Sequence, residues 1–322
     1  MSTKSLALGT LATLLAAFAI APVMAAAWPE KPVRIIIPWP PGGSTDIVGR
    51  LLAAELTSRL KQQVIIDNRA GGGSIVGLQI ATVAAPDGYT MMMTSTAYGF
   101  LIDKPQVPVD LVNSFTPVAM IGTGESALTV HPSLPAKSTQ ELIALARAKS
   151  GALNYASSGI GGFPHMSTEL FKLKTGVDIV HVPFKGGGPA LADTMSGQTQ
   201  VYLATLVTVM SAVNSARLRL LAVGGAKRNP NLPNVPTIAE TVPGYETYIW
   251  WGMFAPNGTP AAAIARMHAE ITAVMSSPAF MKKFDEQGGV PMTMSSAEFG
   301  RLMVAETAKW LEVIKAAGIK GE

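Results

Sequence analysis

The chain has no cysteine among its 322 residues. That absence excludes disulfides, thiol catalysis, thiolate metal sites and the modified cysteine of a lipoprotein. A chain of this length needs no cross-links, because its core is large enough to stand without them. Charge is scarce as well: 14% of residues are Asp, Glu, Lys or Arg, and the formal net charge is +4, or +3 without Lys4. No basic run occurs, so nucleic acid is not an expected partner, since phosphate-tracking proteins cluster Lys and Arg. Histidines stand only at 131, 165, 181 and 268, and none pairs with a second ligand type at metal spacing. No metal and no cofactor are expected. Catalytic signatures are missing too: there is no G-x-S-x-G elbow, no G-x-x-x-x-G-K-[ST] loop and no H-E-x-x-H pair. The glycines of "GGGSIVG" at 71, 73 and 77 miss the G-x-G-x-x-G spacing by one. Together these absences argue against an enzyme.

What is present begins with an export signal. One charge, Lys4, precedes an apolar run from Leu6 to Ile20, which closes on Val23-Met24-Ala25. This predicts a signal peptide over 1–25, cleaved at 25–27, and a periplasmic location. The run is short for a span of about 20 residues, so an anchor is the weaker reading.

After the signal, strands and helices alternate. "KPVRIIIPW" (31–39) reads as a buried strand and "QVIIDNR" (63–69) as a second. Between them, Ile47, Val48, Leu51, Leu52, Leu56 and Leu60 share one helical face. "GYTMMMTSTA" (88–97) is a third strand, with its Met91–Met93 run expected in the core. The rhythm predicts a parallel sheet with helices on both faces. It restarts after "TPVAMIG" and "ALTVHP". A helix over 138–151 opens with the capping box Ser138 and Glu141. Strands follow at "LNYASSG", "DIVHVPF" (178–184), "QVYLATL" (200–206) and "LRLLAVGG" (218–225), with helices at "GFPHMSTELFKLKTG" and "GPALADTMSG". The tail, "YIWWGMFAPNGTP" (248–260) with helices to about Ala317, is too small for a domain and is expected to return to the first unit. The predicted lobes are 28–124 with 252–322, and 125–251, joined by two chain crossings.

Three loops carry the candidate site. In "PWPPGGSTD" (38–46), Gly42 and Gly43 let backbone N–H groups approach a ligand, and Ser44, Thr45 and Asp46 are N-cap types. Unpaired N–H groups and the helix dipole favour a carboxylate there, by roughly 0.3–1 kcal/mol. Pro and Gly also make such a turn rigid with no ligand, and the residues leave both readings open. "NYASSGIGGFPH" (154–165) repeats the design, with Ser157, Ser158, Gly159, Gly161 and Gly162 before a helix; His165 follows just past the loop. "TSTAY" (94–98) places hydroxyls at the edge where open α/β sheets bind ligands. His268, within a helix, is expected to pack, and Trp250 and Trp251 are expected at the crossing.

The sequence resembles the substrate-binding proteins of tripartite tricarboxylate transporters, the Bug family of periplasmic receptors, over about 28–320. The segments that carry the resemblance are "WPEKPVRIIIPWPPGGSTDIVGR", "VIIDNRAGGGSIVG", "APDGYTMMM", "NYASSGIGGFPHM", "VPFKGGGPALADTMSGQ", "VPTIAET" with "PGYE", and "WWGMFAPNGTP". One departure is Ala70-Gly71-Gly72-Gly73, where the family usually has G-A-G-G. The resemblance implies a two-lobed α/β periplasmic-binding-protein fold of the Venus-flytrap type II class. It implies that Trp39, Pro40, Gly42, Gly43, Ser44, Thr45 and Asp46 help hold one carboxylate, partly through ordered waters. Ser157, Ser158, Gly159, Gly162, Phe163 and His165 would bind from the other lobe, with Thr94, Ser95, Thr96 and Thr205 lining the rest. Lys185 and Asp193 belong to a shared motif without an assigned role, and Asp193 leans structural.

The expected function is capture of a small carboxylate by a monomeric receptor that delivers it to the membrane subunits of the transporter. A receptor that presents its closed form to a membrane sensor kinase is the nearer alternative, and an enzyme of another class the more distant one. Aliphatic di- and tricarboxylates, aromatic carboxylates and acidic amino acids all fit; Trp39 and Phe163 tilt the expectation toward an apolar or aromatic middle.

Overall fold

The computed structural model describes residues 28–96 and 111–316; the signal segment and Ala97-Tyr98 of the third loop lie outside them. The first half runs β1 (Val33–Ile37), α1 (Ser44–Leu60), β2 (Val64–Asn68), α2 (Ile75–Thr82), β3 (Thr90–Ser95), α3 (Leu111–Ser114) and β4 (Phe115–Val130). A second series follows: α4 (Thr139–Ala148), β5 (Asn154–Ser157), α5 (Phe163–Thr175), β6 (Val180–Pro183), α6 (Gly187–Ser196), β7 (Val201–Thr205), α7 (Leu206–Asn214) and β8 (Arg219–Val223). The chain closes with β9 (Tyr248–Pro256), α8 (Ala261–Met275), α9 (Pro278–Glu286), β10 (Gly289–Pro291) and α10 (Ser296–Ala316).

β1 lies between β2 and β3, parallel to both, with Val33 opposite Val64 and Arg34 opposite Thr90. A strand covered on both faces needs no alternation, which is why "VRIII" is nearly all apolar. Val48, Leu52, Leu56 and Leu60 of α1 join β1 in one core cluster with Met91, Met93 and Trp251. A separate cluster forms around Leu128, Tyr155, Phe171, Leu203 and Tyr245. Among the described residues the strand order is β2-β1-β3-β9-β4-β7-β5-β6, with β8 and β10 also paired to β4.

β4 makes the two-lobed fold. Its first part, Phe115 to Glu125, pairs antiparallel with β9, and its second, Ser126 to Val130, pairs with β7 and β8. "TPVAMIG" and "ALTVHP" are thus the two ends of one 16-residue strand that carries the chain from one lobe to the other. β9 brings it back, antiparallel to both β3 and β4. Trp250 and Trp251 are buried on this returning strand.

The strand expected through Leu206 stops at Thr205, and the chain turns directly into α7. "LVTVMSAVN" is rich in β-branched residues, which lose rotamer freedom in a helix. Packing outweighs that propensity: Leu206, Val207, Val209, Met210 and Ala212 are all buried, and Val207 joins the core cluster of β1. α9 and β10 were likewise not evident from the pattern. The Ser138 cap forms, accepting the Glu141 N–H, but α4 stops at Ala148, short of Gly151.

Candidate functional site

α1 starts at Ser44 with Gly43 at its N-cap and no side chain capping it. The first intrahelical bond runs from the Ile47 N–H to the Gly43 carbonyl, so the N–H groups of Ser44, Thr45 and Asp46 precede it and have no intrahelical acceptor. The Asp46 carboxylate faces backward into the loop rather than toward a ligand. It accepts the Gly42 N–H at 3.0 Å and Arg50 Nε at 3.1 Å. Gly42 has φ +86°, a conformation natural to glycine. Asp46 therefore braces the turn.

α5 opens the same way from the second lobe, with Gly162 at the N-cap, no side-chain cap, and a proline in its first turn. Behind this loop lies a polar stack. The Ser157 hydroxyl is 2.6 Å from His181 Nε2, and the His181 ring stacks on His165 with centroids 4.1 Å apart. The Gly161 N–H donates to His165 Nδ1 at 3.0 Å, which fixes that nitrogen as the acceptor. Tyr155 stacks on the other side of His181 and donates to Glu169, which also pairs with Lys172. Burial pushes the His165 pKa down; burial, then His165 itself, holds His181 at about 4. Both imidazoles are neutral at physiological pH and shape the loop from behind.

Two further helices point at the same place. α6 has Gly186 at its N-cap without a side-chain cap. α7 is capped by Thr205, whose hydroxyl accepts the Thr208 N–H and lies 2.8 Å from the Thr208 hydroxyl. Tyr202, fully buried on β7, donates to the Gly187 carbonyl at 3.2 Å, and burial raises its phenol pKa.

These pieces enclose a cavity of about 50 Å³ lined by Trp39, Gly43, Ser44 and Thr45 from α1 and its loop, Phe163 and Pro164 from α5, Gly187 from α6, and Thr205 and Thr208 from α7. Ser95, Ser158, Tyr202 and Ile249 complete it. No charged side chain lines it. Four helix N-termini, from helices of 17, 13, 10 and 9 residues, therefore meet at one small space. Each brings unpaired N–H groups and the positive end of a dipole. Chemically, such an arrangement can hold a negative group by neutral donors.

The walls come from both lobes in direct contact. A Cβ on Gly187 would lie 3.3 Å from the Gly43 Cα, and one on Gly188 would lie 2.7 Å from the Pro41 carbonyl oxygen. Only glycine permits this approach of "PPGG" to "GGGP".

Of the residues expected at the site, Trp39, Gly43, Ser44, Thr45, Ser95, Ser158, Phe163 and Thr205 line the cavity. Pro40, Gly42, Asp46, Thr94, Thr96, Ser157, Gly159, Gly162 and His165 do not. Pro40 and Gly42 instead sit at the contact between lobes. Thr96 accepts the Trp250 N–H, and Thr94 is fully buried with no hydrogen-bond partner for its hydroxyl among the described residues. Gly162 packs too closely on the Ser158 hydroxyl to bear a side chain. Gly187, Pro164, Tyr202, Thr208 and Ile249 were not anticipated. "GGGP" (186–189) carries the same glycine-before-helix signal as the other two loops, and it would have named Gly187. Asp193 accepts the Thr199 N–H at 3.1 Å, a structural role. His268 is held within the fold, its Nδ1 2.8 Å from the Val118 carbonyl.

The pattern that defines the tripartite tricarboxylate transporter family receptor matches residues 48–319. Protein BugT of Bordetella pertussis is 33% identical over 306 residues, covering 93% of this chain and 93% of BugT. Among solved structures, R. palustris Rpa4515 with adipate superposes with a TM-score of 0.88 at 36% identity, over 91% of this chain and 99% of that one. MatC (Rpa3494) from Rhodopseudomonas palustris with bound malate superposes with a TM-score of 0.82 at 28% identity, over 89% and 99%.

Proposed function

Because this chain belongs to the tripartite tricarboxylate transporter receptor family, a family of periplasmic solute receptors rather than enzymes, we propose that it captures a small carboxylate between its lobes and delivers it to the transporter's membrane subunits. Residues 1–25 would direct export and be removed. The lobe limits we propose are 28–124 with 252–322, and 125–251, with the ligand held by the loops of Trp39 to Thr45 and Ser158 to Phe163 and by Thr205.

The observation that carries this reading is the convergence of four helix N-termini on a cavity without a charged side chain. Each terminus favours an anion by roughly 0.3–1 kcal/mol, more where partly buried. A bidentate arginine would hold a carboxylate more strongly; its absence suits a solute that must be released. Adipate and malate in the two related structures are both dicarboxylates and support the class.

The test is thermal unfolding of the protein against a panel of carboxylates at equal concentration. A ligand at about 100 times its Kd adds roughly 2.7 kcal/mol and raises the midpoint by several degrees. A shift with one class of acid supports capture and names the solute. A flat panel with protein freed of co-purified ligand overturns the reading.

A further inference from the structure

β4 changes partners between two consecutive residues. Glu125 is its last residue opposite β9, facing Tyr248, and Ser126 is its first opposite β7, facing Thr205. The returning chain crosses at the same level. The Ser126 N–H donates to the Thr247 carbonyl at 3.3 Å, and the two buried hydroxyls lie 2.6 Å apart. Gly224, just past β8, ties both crossings. Its N–H donates to the Ser126 carbonyl at 2.7 Å, and its carbonyl accepts the Thr247 N–H at 3.0 Å. The two crossings are thus bound into one unit.

Glu125 spans this unit. Its backbone pairs with β9, while its carboxylate accepts the Gly225 N–H at 3.2 Å and the Asn229 side-chain amide at 2.5 Å. Both donors belong to the loop after β8, which packs into the second lobe through Leu232 and Val235. Asn229 is buried, and its Oδ1 accepts the Asn231 N–H at 2.9 Å, so its amide is held in place. Two donors need two acceptors: a carboxylate supplies both, whereas a side-chain amide has only one accepting oxygen. Glu125 lines neither the cavity at the helix ends nor a larger one of about 650 Å³ beside it.

We propose that Glu125 is a positioning residue for capture: its carboxylate fixes the angle at which β4 enters the second lobe, and so holds the lobes where the four helix ends converge. A ligand that bridges the lobes binds this arrangement best, so its apparent affinity scales with the fraction of molecules that hold it. The inference rests on the carboxylate-receptor reading above and adds a residue that acts without touching the ligand.

The test is calorimetric titration of the purified protein with every acid of the panel above that binds it. Glu125→Gln keeps the size of the side chain and loses one acceptor. It should weaken all of these acids by a common factor of about fivefold, the scale of one hydrogen bond, and raise the ligand-free radius of gyration. Asn229→Ala removes the donor instead and should do the same. Glu125→Gln combined with Asn229→Asp reverses donor and acceptor within the pair and leaves an acceptor for both the Gly225 and the Asn231 N–H. This double variant should regain the parent's affinity. The positioning role is overturned, and the receptor reading stands, if the single variants melt lower but bind as the parent does. A loss confined to one acid, or no recovery in the double variant, overturns it equally. If no acid binds the parent, the receptor reading itself falls.

Discussion

Gly188 sits in the first turn of α6, where its φ is ordinary for a helix but a Cβ would press on the Pro41 carbonyl of the other lobe. Its two roles pull apart on substitution. Alanine gains in helix propensity, but before Pro189 that gain is offset by the clash of its Cβ with the proline ring. It also obstructs the contact between "PPGG" and "GGGP". Gly188→Ala is therefore expected to leave the ligand-free melting temperature near that of the parent while weakening ligand binding at least tenfold. Melting and titration of the same preparation check both halves. Gly186 is a poorer probe, since its φ of +118° strains any replacement whatever the lobes do.

At the scale of the element, the loop into α5 is supported by the His165–His181 stack. The groups facing the pair are Tyr155, Glu169, Lys172 and the Ser157 hydroxyl. A histidine held near 4 in the fold and near 6.5 when unfolded binds a proton first in the unfolded chain. Between those values the unfolded state holds more protons, so stability rises with pH. The contribution is complete above about pH 6.5 and is lost as pH falls toward 4. Partial exposure of the cluster screens it, so the fall in melting temperature from pH 7 to 4.5 should be a few degrees. His181→Phe keeps the stacking and removes the titration. A melting curve no flatter with pH in that variant than in the parent would refute the assignment. Acid that protonates His165 should weaken ligand binding, because its Nδ1 then no longer accepts the Gly161 N–H.

Across the whole molecule, the binding space exists only where the lobes meet. α1 contributes from the first lobe and α5, α6 and α7 from the second, so opening the lobes dismantles the cavity. A ligand that bridges both must then favour the closed arrangement by its differential affinity. Small-angle scattering should show the radius of gyration falling on addition of a bound carboxylate. In Gly188→Ala the ligand-free radius should match or exceed that of the parent. An unchanged radius in the parent at saturating ligand would mean that capture involves no closure.

Much of this was legible along the chain. Capping residues, glycines before helices and unbroken apolar strands are local signals, because they act within one turn or one strand. They determined the alternating α/β elements, the two glycine loops that open helices at 38–46 and 154–165, and the return of the tail. Tertiary structure decided the rest. α7 is helical because its apolar residues bury on two sides, Val207 against the core of the first lobe and Val209 within its own, and Thr208 reaches the site only through that helix. The continuity of β4 depends on its two different partners, β9 and then β7 and β8. Gly187 and Gly43 stand far apart in sequence, and their close approach is a property of packing between loops. Trp39 and Ser158 line both the small cavity at the helix ends and the larger cavity beside it. No local pattern encodes that adjacency, because each wall is drawn from both lobes.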